Sequence, residues 1–183
     1  MIIYGKNVIR EAVYTKRPIF NMYVDQKFSD YKFLTFLKEN DVRYEQVTKE
    51  RLNQLTSNAN HQGIVSNVKD YDTHTLEDIV NRDIKQRFVI LDGIEDPHNL
   101  GAILRTAEAA KLTAIIMSKK GQVQLNATVA KVSSGAIEHV PVILVSNINQ
   151  AIVKLKEKNV WIIGTDGHTE LTYDDMPLEK SIA

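Results

Sequence analysis

The run from Asp92 to Arg105 holds the residues of this sequence that are best placed to do chemistry. Asp96 and Asn99 are residue types that cap helices, and Pro97 stiffens the turn between them. The backbone N–H groups of a first helical turn attract anions. Arg105 lies about a turn and a half beyond Asn99 along a helix, where its guanidinium can lean back over the helix start. The pattern therefore predicts a strand-to-helix turn that binds phosphate.

Each of these residues also has an ordinary structural interpretation. Asn99 can serve only as a helix cap, and Arg105 can be a surface residue or form a salt bridge. The residue types and their spacing leave both interpretations open, because phosphate-binding turns of this kind occur in many folds.

Several classes of site are disfavoured by what the sequence lacks. It contains no cysteine, which excludes a disulfide framework, a thiolate nucleophile and any cysteine-ligated zinc or iron–sulfur site. It also lacks the glycine-rich fingerprint of dinucleotide-binding folds, the P-loop, the zinc-protease helix motif and the nucleophile elbow of serine hydrolases. We expect no metal in the active site.

Length and composition are those of a folded globular protein. The chain has 183 residues, 23 basic and 23 acidic, with 43% hydrophobic and 25% charged side chains, which excludes a disordered tail protein. No stretch approaches the roughly 18 apolar residues of a membrane span, and the first residues lack the apolar core of a signal peptide. We therefore expect a cytoplasmic protein with no membrane partner.

The neutral total hides an uneven distribution of charge. Residues 1–69 carry 11 basic and 7 acidic side chains, whereas residues 70–86 carry 2 basic and 5 acidic ones. The basic amino-terminal part is the better candidate for contacts with phosphates. Ordinary surface variation explains an imbalance of this size equally well.

Short β-branched runs alternate with helical patterns along the chain, which predicts an α/β fold with a parallel sheet in its second half. The apolar run 88–91 is typical of a strand buried on both faces, and residues 75–78 fit a capping box. The predicted strands are 20–24, 43–47, 62–68, 88–91, 113–117, 140–145 and 160–163, and the predicted helices are 7–16, 29–40 capped by Ser29, one capped by Thr48, 99–110, 125–133 and 147–158 capped by Asn147.

The shift in composition at the middle of the chain predicts two domains. We place a small amino-terminal α/β domain at residues 1–69, a linker at 70–86 and a second α/β domain with an open parallel sheet at 87–183. The second pattern stops before the further strand and helix that such a sheet normally gains, so we expect this domain to be incomplete at its carboxyl end.

The run 92–105 resembles the first signature of the SpoU (TrmH-type) ribose 2′-O-methyltransferases, a branch of the knotted SPOUT superfamily. Residues 4–12 and 61–64 are similar to the amino-terminal substrate-binding domain of that family, which is related to RNA-binding ribosomal proteins. Residues 124–128 and 131–141 match the RlmB branch, which methylates a guanosine ribose of 23S ribosomal RNA. The resemblance covers essentially the whole chain.

The resemblance implies transfer of a methyl group from S-adenosylmethionine to a ribose 2′-hydroxyl of ribosomal RNA. It implies that Arg105 and Asn99 are the catalytic residues, that Thr165 and Gly167 form part of the cofactor wall, and that the protein is a homodimer. We interpret Arg105 as a clamp on phosphate held over a crevice, because a guanidinium stays protonated and is a poor base.

The sequence departs from the family pattern in one respect. The second and third signatures, which supply most cofactor contacts and the knot, do not occur in these 183 residues. Two further hypotheses therefore stand beside the ribosomal RNA methyltransferase: a non-catalytic RNA-binding fragment, and a methyltransferase of the same superfamily that acts on tRNA.

Overall fold

The computed structural model describes residues 1–81, 83–177 and 179–183. Nine strands and seven helices follow one another along these residues. In chain order they are β1 (Ile2–Tyr4), α1 (Lys6–Tyr14), β2 (Ile19–Asp25), α2 (Tyr31–Glu39), β3 (Glu45–Val47), α3 (Lys49–Thr56), β4 (Ile64–Val68), α4 (Leu76–Ile79), β5 (Phe88–Leu91), α5 (Pro97–Ala109), β6 (Ala114–Ser118), α6 (Ala127–Val132), β7 (Val142–Val145), α7 (Ile148–Glu157), β8 (Val160–Trp161) and β9 (Ser181–Ile182).

The backbone packs into two compact units that are not continuous in sequence. The first unit comprises residues 1–71, 97–105 and 124–139, and the second comprises residues 72–96, 106–123 and 140–183. The predicted domain limits at residues 69 and 87 stay a prediction about which parts of the chain fold autonomously.

The first unit is built on a mixed sheet of four strands in the order β1-β4-β2-β3. Strand β4 runs antiparallel to both β1 and β2, whereas β2 and β3 are parallel. Helix α1 buries Val8, Ile9 and Ala12 on one face, and α2 buries Phe33 and Leu37. Their spacing of three and four residues gives each helix one apolar stripe.

The first unit differs from the sequence prediction at two places. Asp30, and not Ser29, caps α2: its carboxylate accepts a hydrogen bond from the Phe33 N–H and binds the Lys6 ammonium at 2.8 Å. The hydrogen bond from Lys6, and to a smaller extent that from the Phe33 N–H, hold the pKa of Asp30 below its usual range. Strand β1 was not predicted, because its three residues become a strand only by pairing with the distant β4.

The second unit contains a parallel sheet in the order β5-β6-β7, which confirms the predicted α/β class. A second parallel pair, β8 with β9, joins it through a bridge between Arg87 and Ile182. The predicted capping box is present, with Thr75 and Asp78 bonding reciprocally. The predicted cap Asn147 accepts a hydrogen bond from the Gln150 N–H.

The core of the second unit explains why the sequences of its strands are continuous apolar runs. Residues 114–117 of the central strand β6 are all buried, whichever face they point to. In β5 only Phe88 and Leu91 are buried, and the two residues between them are half-buried. The buried cluster comprises Leu76, Val80, Phe88, Ala114, Ile116, Ile143, Ala151, Leu155 and Val160. Among the described residues, no helix is long and apolar enough to cross a bilayer.

The predicted strand 160–163 is shorter in the structure, where it ends at Trp161. Its parallel partner β9 has only two residues, and a strand extends only where a neighbour supplies backbone hydrogen bonds. Strand β9 itself was missed, because Ser181 and Ile182 are too short a run to show a period.

A buried ion pair holds segment 124–139 against residues 1–71 within the first unit. The Arg17 guanidinium lies 2.7 Å from a Glu138 carboxylate oxygen, and the two side chains are only 7% and 4% exposed. The Tyr71 hydroxyl donates to the same oxygen at 3.0 Å, and the Arg17 guanidinium lies over the Tyr71 ring. Arg17 also donates to the Lys69 carbonyl oxygen. Burial, reinforced by the Glu138 charge, raises the pKa of the Tyr71 hydroxyl.

Replacing Arg17 with Met should destabilise the protein strongly, because it leaves the Glu138 carboxylate buried without a counter-charge. We expect the free energy of unfolding, measured by denaturant titration, to fall by about 3–5 kcal/mol. The matched control is Lys154→Met, which breaks the exposed pair of Lys154 with Glu77 and should change stability little. Equal effects of the two substitutions would show that the buried pair does not hold this unit together.

Candidate active site

The candidate site begins where β5 ends and α5 starts. The loop 92–96 separates Leu91 from Pro97, the first residue of the helix. The helix therefore begins two residues before the predicted Asn99. The first position of a helix favours proline, because the fixed φ of proline suits a helix and a backbone N–H at that position would have no partner within the helix. Asn99 thus lies within the first turn and is not the cap.

Asn99 and Arg105 are both exposed on α5, whereas Leu100 and Leu104 are fully buried on its inner side. Six residues of helix separate the two polar side chains by about 9 Å along the axis and about 120° around it. Within residues 1–81, 83–177 and 179–183, neither side chain makes a hydrogen bond or an ion pair. The guanidinium is thus open to a ligand, and its position over a crevice stays a prediction.

Gly101 fixes α5 against segment 124–139 in the first unit. A Cβ atom at this position would lie 2.7 Å from Val132 side-chain carbons and 3.1 Å from the backbone nitrogen of Ser133. Only glycine allows the helix to approach this closely. Gly101 therefore sets the position of the helical turns that carry Asn99 and Arg105.

The turn after α6 bonds to α1. Ser134 and Gly135 both have positive φ, 55° and 98°, and a Cβ on Gly135 would collide with the Glu11 side chain. The Glu11 carboxylate lies 3.0 Å from Nε2 of His139. Residues 133–136 thus form the end of α6 and the turn that follows it.

Lys131 is a cation that sequence reasoning did not single out. Its half-buried ammonium lies against Gly5, at the start of α1. Desolvation lowers its pKa. In the part of the chain that the structure describes, no carboxylate or carbonyl group pairs with it. No local pattern could have identified Lys131, because its surroundings come from a distant segment.

The loop 61–64 depends on a neutral His61. Its Nδ1 accepts a hydrogen bond from the Gly63 N–H at 3.0 Å, so the ring proton is on Nε2, 3.0 Å from the Asn53 amide oxygen. Desolvation lowers the pKa of this buried histidine. The neighbouring Gln62 side chain accepts a hydrogen bond from the Lys6 N–H. The loop is thus fixed to the start of α1.

Thr165 and Gly167, the expected cofactor residues, lie in an exposed loop of the second unit after β8. The loop turns where the Asp166 carboxylate accepts a hydrogen bond from the His168 N–H at 2.9 Å. Nothing lies within 4 Å of the Cβ position of Gly164 or Gly167. The backbone and the threonine hydroxyl are therefore accessible to a ligand.

Comparison with known families decides what kind of protein carries this site. Residues 86–183 match the SpoU rRNA Methylase family, and residues 2–74 match the RNA 2′-O ribose methyltransferase substrate-binding family. The chain belongs to the SpoU family of RNA methyltransferases. This confirms the resemblance inferred from the run 92–105. S-adenosylmethionine, the expected cofactor, is the methyl donor of this family.

Relatives of this SpoU chain include TrmH family tRNA/rRNA methyltransferases. The chain is 35% identical over 189 residues to one from Staphylococcus aureus (strain COL), covering 100% of the chain and 76% of the relative. It is 33% identical over 181 residues to YacO of Bacillus subtilis (strain 168), covering 95% of the chain and 72% of the relative.

Solved structures of SpoU methyltransferases share the fold. AviRb from Streptomyces viridochromogenes, solved in complex with the cofactor AdoMet, has a TM-score of 0.79 at 19% identity, over 100% of this chain and 71% of AviRb. An rRNA methyltransferase from Sinorhizobium meliloti has a TM-score of 0.74 at 20% identity, over 99% of this chain and 68% of that one.

Substituting Gly101 with Ala tests the close approach of α5 in the SpoU chain. Alanine normally stabilises a helix interior relative to glycine, but here the added methyl group must displace backbone as well as the Val132 side chain. We expect a loss of about 1–3 kcal/mol in the free energy of unfolding. Gly164→Ala is the control, because open space surrounds that position. Stabilisation by Gly101→Ala would refute the contact.

The stability of the protein should depend on pH through His61. Its folded pKa lies below the unfolded value of about 6.5, so the unfolded state binds more protons as the pH falls through that value. The contribution of neutral His61 to the free energy of unfolding is present above about pH 6.5 and is lost on acidification. In denaturant titrations between about pH 8 and 5, His61→Gln should flatten this dependence. Exposed His168→Gln should follow the parent curve, and identical slopes for all three proteins would contradict the prediction.

Proposed function

We propose that the protein transfers a methyl group from S-adenosylmethionine to the ribose 2′-hydroxyl of a guanosine in 23S ribosomal RNA. The observation that carries this proposal is the occurrence, on one chain, of an rRNA methylase match over 86–183 and a 2′-O-ribose substrate-binding match over 2–74. The run 131–141, similar to the RlmB branch, supports 23S ribosomal RNA as the substrate. The names of the relatives leave both RNA classes open, so tRNA is the competing substrate.

Arg105 acts in this proposal as the clamp on the substrate. Transfer forms a bond between the 2′-oxygen and the methyl carbon, breaks the carbon–sulfur bond of the donor to leave a neutral thioether, and releases the hydroxyl proton to solvent water. A guanidinium that is already protonated cannot accept that proton. A guanidinium can instead bind a phosphate through two parallel hydrogen bonds. The exposed Arg105 has no protein partner among the described residues, so it is available for this role. Holding the sugar in line is the main requirement, because the methyl donor is already reactive.

Asn99 lies where it can contact the nucleotide from the helix start. The first turn of α5 begins at Pro97, and the N–H groups of a first helical turn favour an anion. The Asn99 amide adds a donor and an acceptor suited to a ribose hydroxyl. Asn99 and Arg105 therefore act on the sugar–phosphate from two positions on one helix.

Thr165 and Gly167 are the residues of this chain that would hold the methyl donor. Their loop fits one wall of such a ligand, because it follows a parallel strand and has open space beside two glycines. S-adenosylmethionine, when bound, supplies a methyl group on a positively charged sulfur. The Thr165 hydroxyl can bond polar groups of the ligand, and Gly167 lets it approach the backbone.

Replacing Arg105 with Lys should abolish most methyl transfer while leaving the protein folded. Lysine keeps the charge but loses the planar pair of donors. We expect kcat to fall by about 100-fold, measured as transfer of labelled methyl from S-adenosylmethionine to 23S ribosomal RNA. The control is Arg51→Lys, the same change at an exposed arginine of α3. Full activity of Arg105→Lys would refute the clamp.

The same assay distinguishes a ribosomal RNA substrate from tRNA, and a methyltransferase from a protein that only binds RNA. Labelled methyl in tRNA alone would establish the tRNA enzyme, and RNA binding without transfer would establish the non-catalytic RNA-binding protein. We also propose that the enzyme is a homodimer that acts in the cytoplasm, on the basis of its resemblance to the family. Sedimentation measurements would show a single-chain mass if the dimer is wrong.

A further inference from the structure

Helix α2 carries a polar and aromatic face in addition to its buried one. Phe33 and Leu37 point into the core. The outward row follows the helical spacing of three and four residues, and it comprises Tyr31, Leu34, Thr35 and Lys38. Tyr31 is 77% exposed, so a large aromatic ring lies in solvent with no role in packing the core.

This row forms one side of a groove that we call the α2 groove. Its other side is the segment just before the edge strand β3, with Val42, Arg43 and Tyr44. The groove has a volume of about 570 Å³. Tyr44 is 38% exposed. Two tyrosine rings and two cationic side chains thus line one open groove, and its lining among the described residues contains no carboxylate.

The cations of the α2 groove are not used by the protein itself. Neither Lys38 nor Arg43 makes a side-chain hydrogen bond or an ion pair within the described residues. Elsewhere in the same unit, Lys6 and Arg17 each pair with a carboxylate. The groove therefore offers unpaired positive charge beside exposed aromatic rings.

These features match single-stranded RNA better than they match a protein partner or a duplex. Bases of unpaired nucleotides stack on aromatic rings, and a basic groove follows their phosphates. In a duplex the base faces are already stacked on each other, so exposed rings gain nothing from it. A protein partner would favour an apolar centre, whereas the α2 groove places its charges among its aromatic rings.

We propose that the α2 groove binds an unpaired segment of the substrate RNA, with a base stacked on Tyr31 or Tyr44 and phosphates on Lys38 and Arg43. The inference rests on the proposed function, and it assigns a binding site apart from the turn that carries Asn99 and Arg105. The groove thereby selects RNA that contains an unpaired segment.

The test measures binding of the whole protein to a short fluorescein-labelled single-stranded RNA by fluorescence anisotropy. We expect Tyr31→Ala combined with Tyr44→Ala to weaken binding at least about 5-fold, the lower limit for loss of one stacked base. Tyr31→Phe combined with Tyr44→Phe keeps the rings and should retain affinity. Phe20→Ala removes an exposed aromatic ring outside the groove and should also bind normally.

A salt series tests the phosphate contacts independently of the rings. Lys38→Gln and Arg43→Gln should each reduce the slope of log affinity against log salt concentration by about 0.7. Lys156→Gln, a change of an exposed cation on α7, should leave the slope unchanged. Circular dichroism of each variant shows whether it is folded. If the Ala pair does not fold, the salt slopes of Lys38→Gln and Arg43→Gln and the competition by duplex RNA still test the groove.

The outcomes separate this inference from the proposed function. If the parent protein binds RNA and the Ala pair binds equally well, the groove assignment is wrong and the methyltransferase proposal stands. If duplex RNA competes as well as single-stranded RNA, stacking is refuted. If the Ala pair changes the sedimentation mass but not RNA affinity, the groove is an interface between copies of the chain. If the parent protein binds no RNA, the proposed function fails together with this inference.

Discussion

The buried ion pair between Arg17 and Glu138 is the constraint on which the first unit depends. Both charges are almost completely removed from water, so separating them would leave each one unsolvated in a medium of low dielectric constant. Arg17 donates a further hydrogen bond to the Lys69 carbonyl oxygen, and Glu138 accepts one from the Tyr71 hydroxyl. Segment 124–139 must therefore stay packed against residues 1–71.

The position of the candidate catalytic helix follows from that constraint. Segment 124–139 presents Val132 to Gly101, and the missing side chain of Gly101 lets α5 lie directly against it. Close-packed interiors have little freedom to adjust, so Asn99 and Arg105 take positions set by two tertiary contacts. Most of the region that matches the substrate-binding family, residues 2–71, thus belongs to the same packed unit as Arg105, the proposed phosphate clamp.

Electrostatics gives this neutral protein a surface suited to RNA. Its 23 basic and 23 acidic side chains balance, but several cations are left without partners in the described part of the chain. Arg105, Lys131 and the two cations of the α2 groove are among them. Unpaired cations attract phosphates, and the net charge has little influence on such local fields.

The sequence by itself determined the α/β class, the position of strand 88–91 and the family signature, because hydrophobic period, caps and a fixed run of residues are local properties. It misplaced the cap of α2 and missed β1, since Asp30 and Ile2–Tyr4 are fixed by distant partners. Only the tertiary structure decided how Arg17 meets Glu138, 121 residues away, and where Lys131 lies. Such contacts depend on how the chain packs, and no local pattern encodes their geometry.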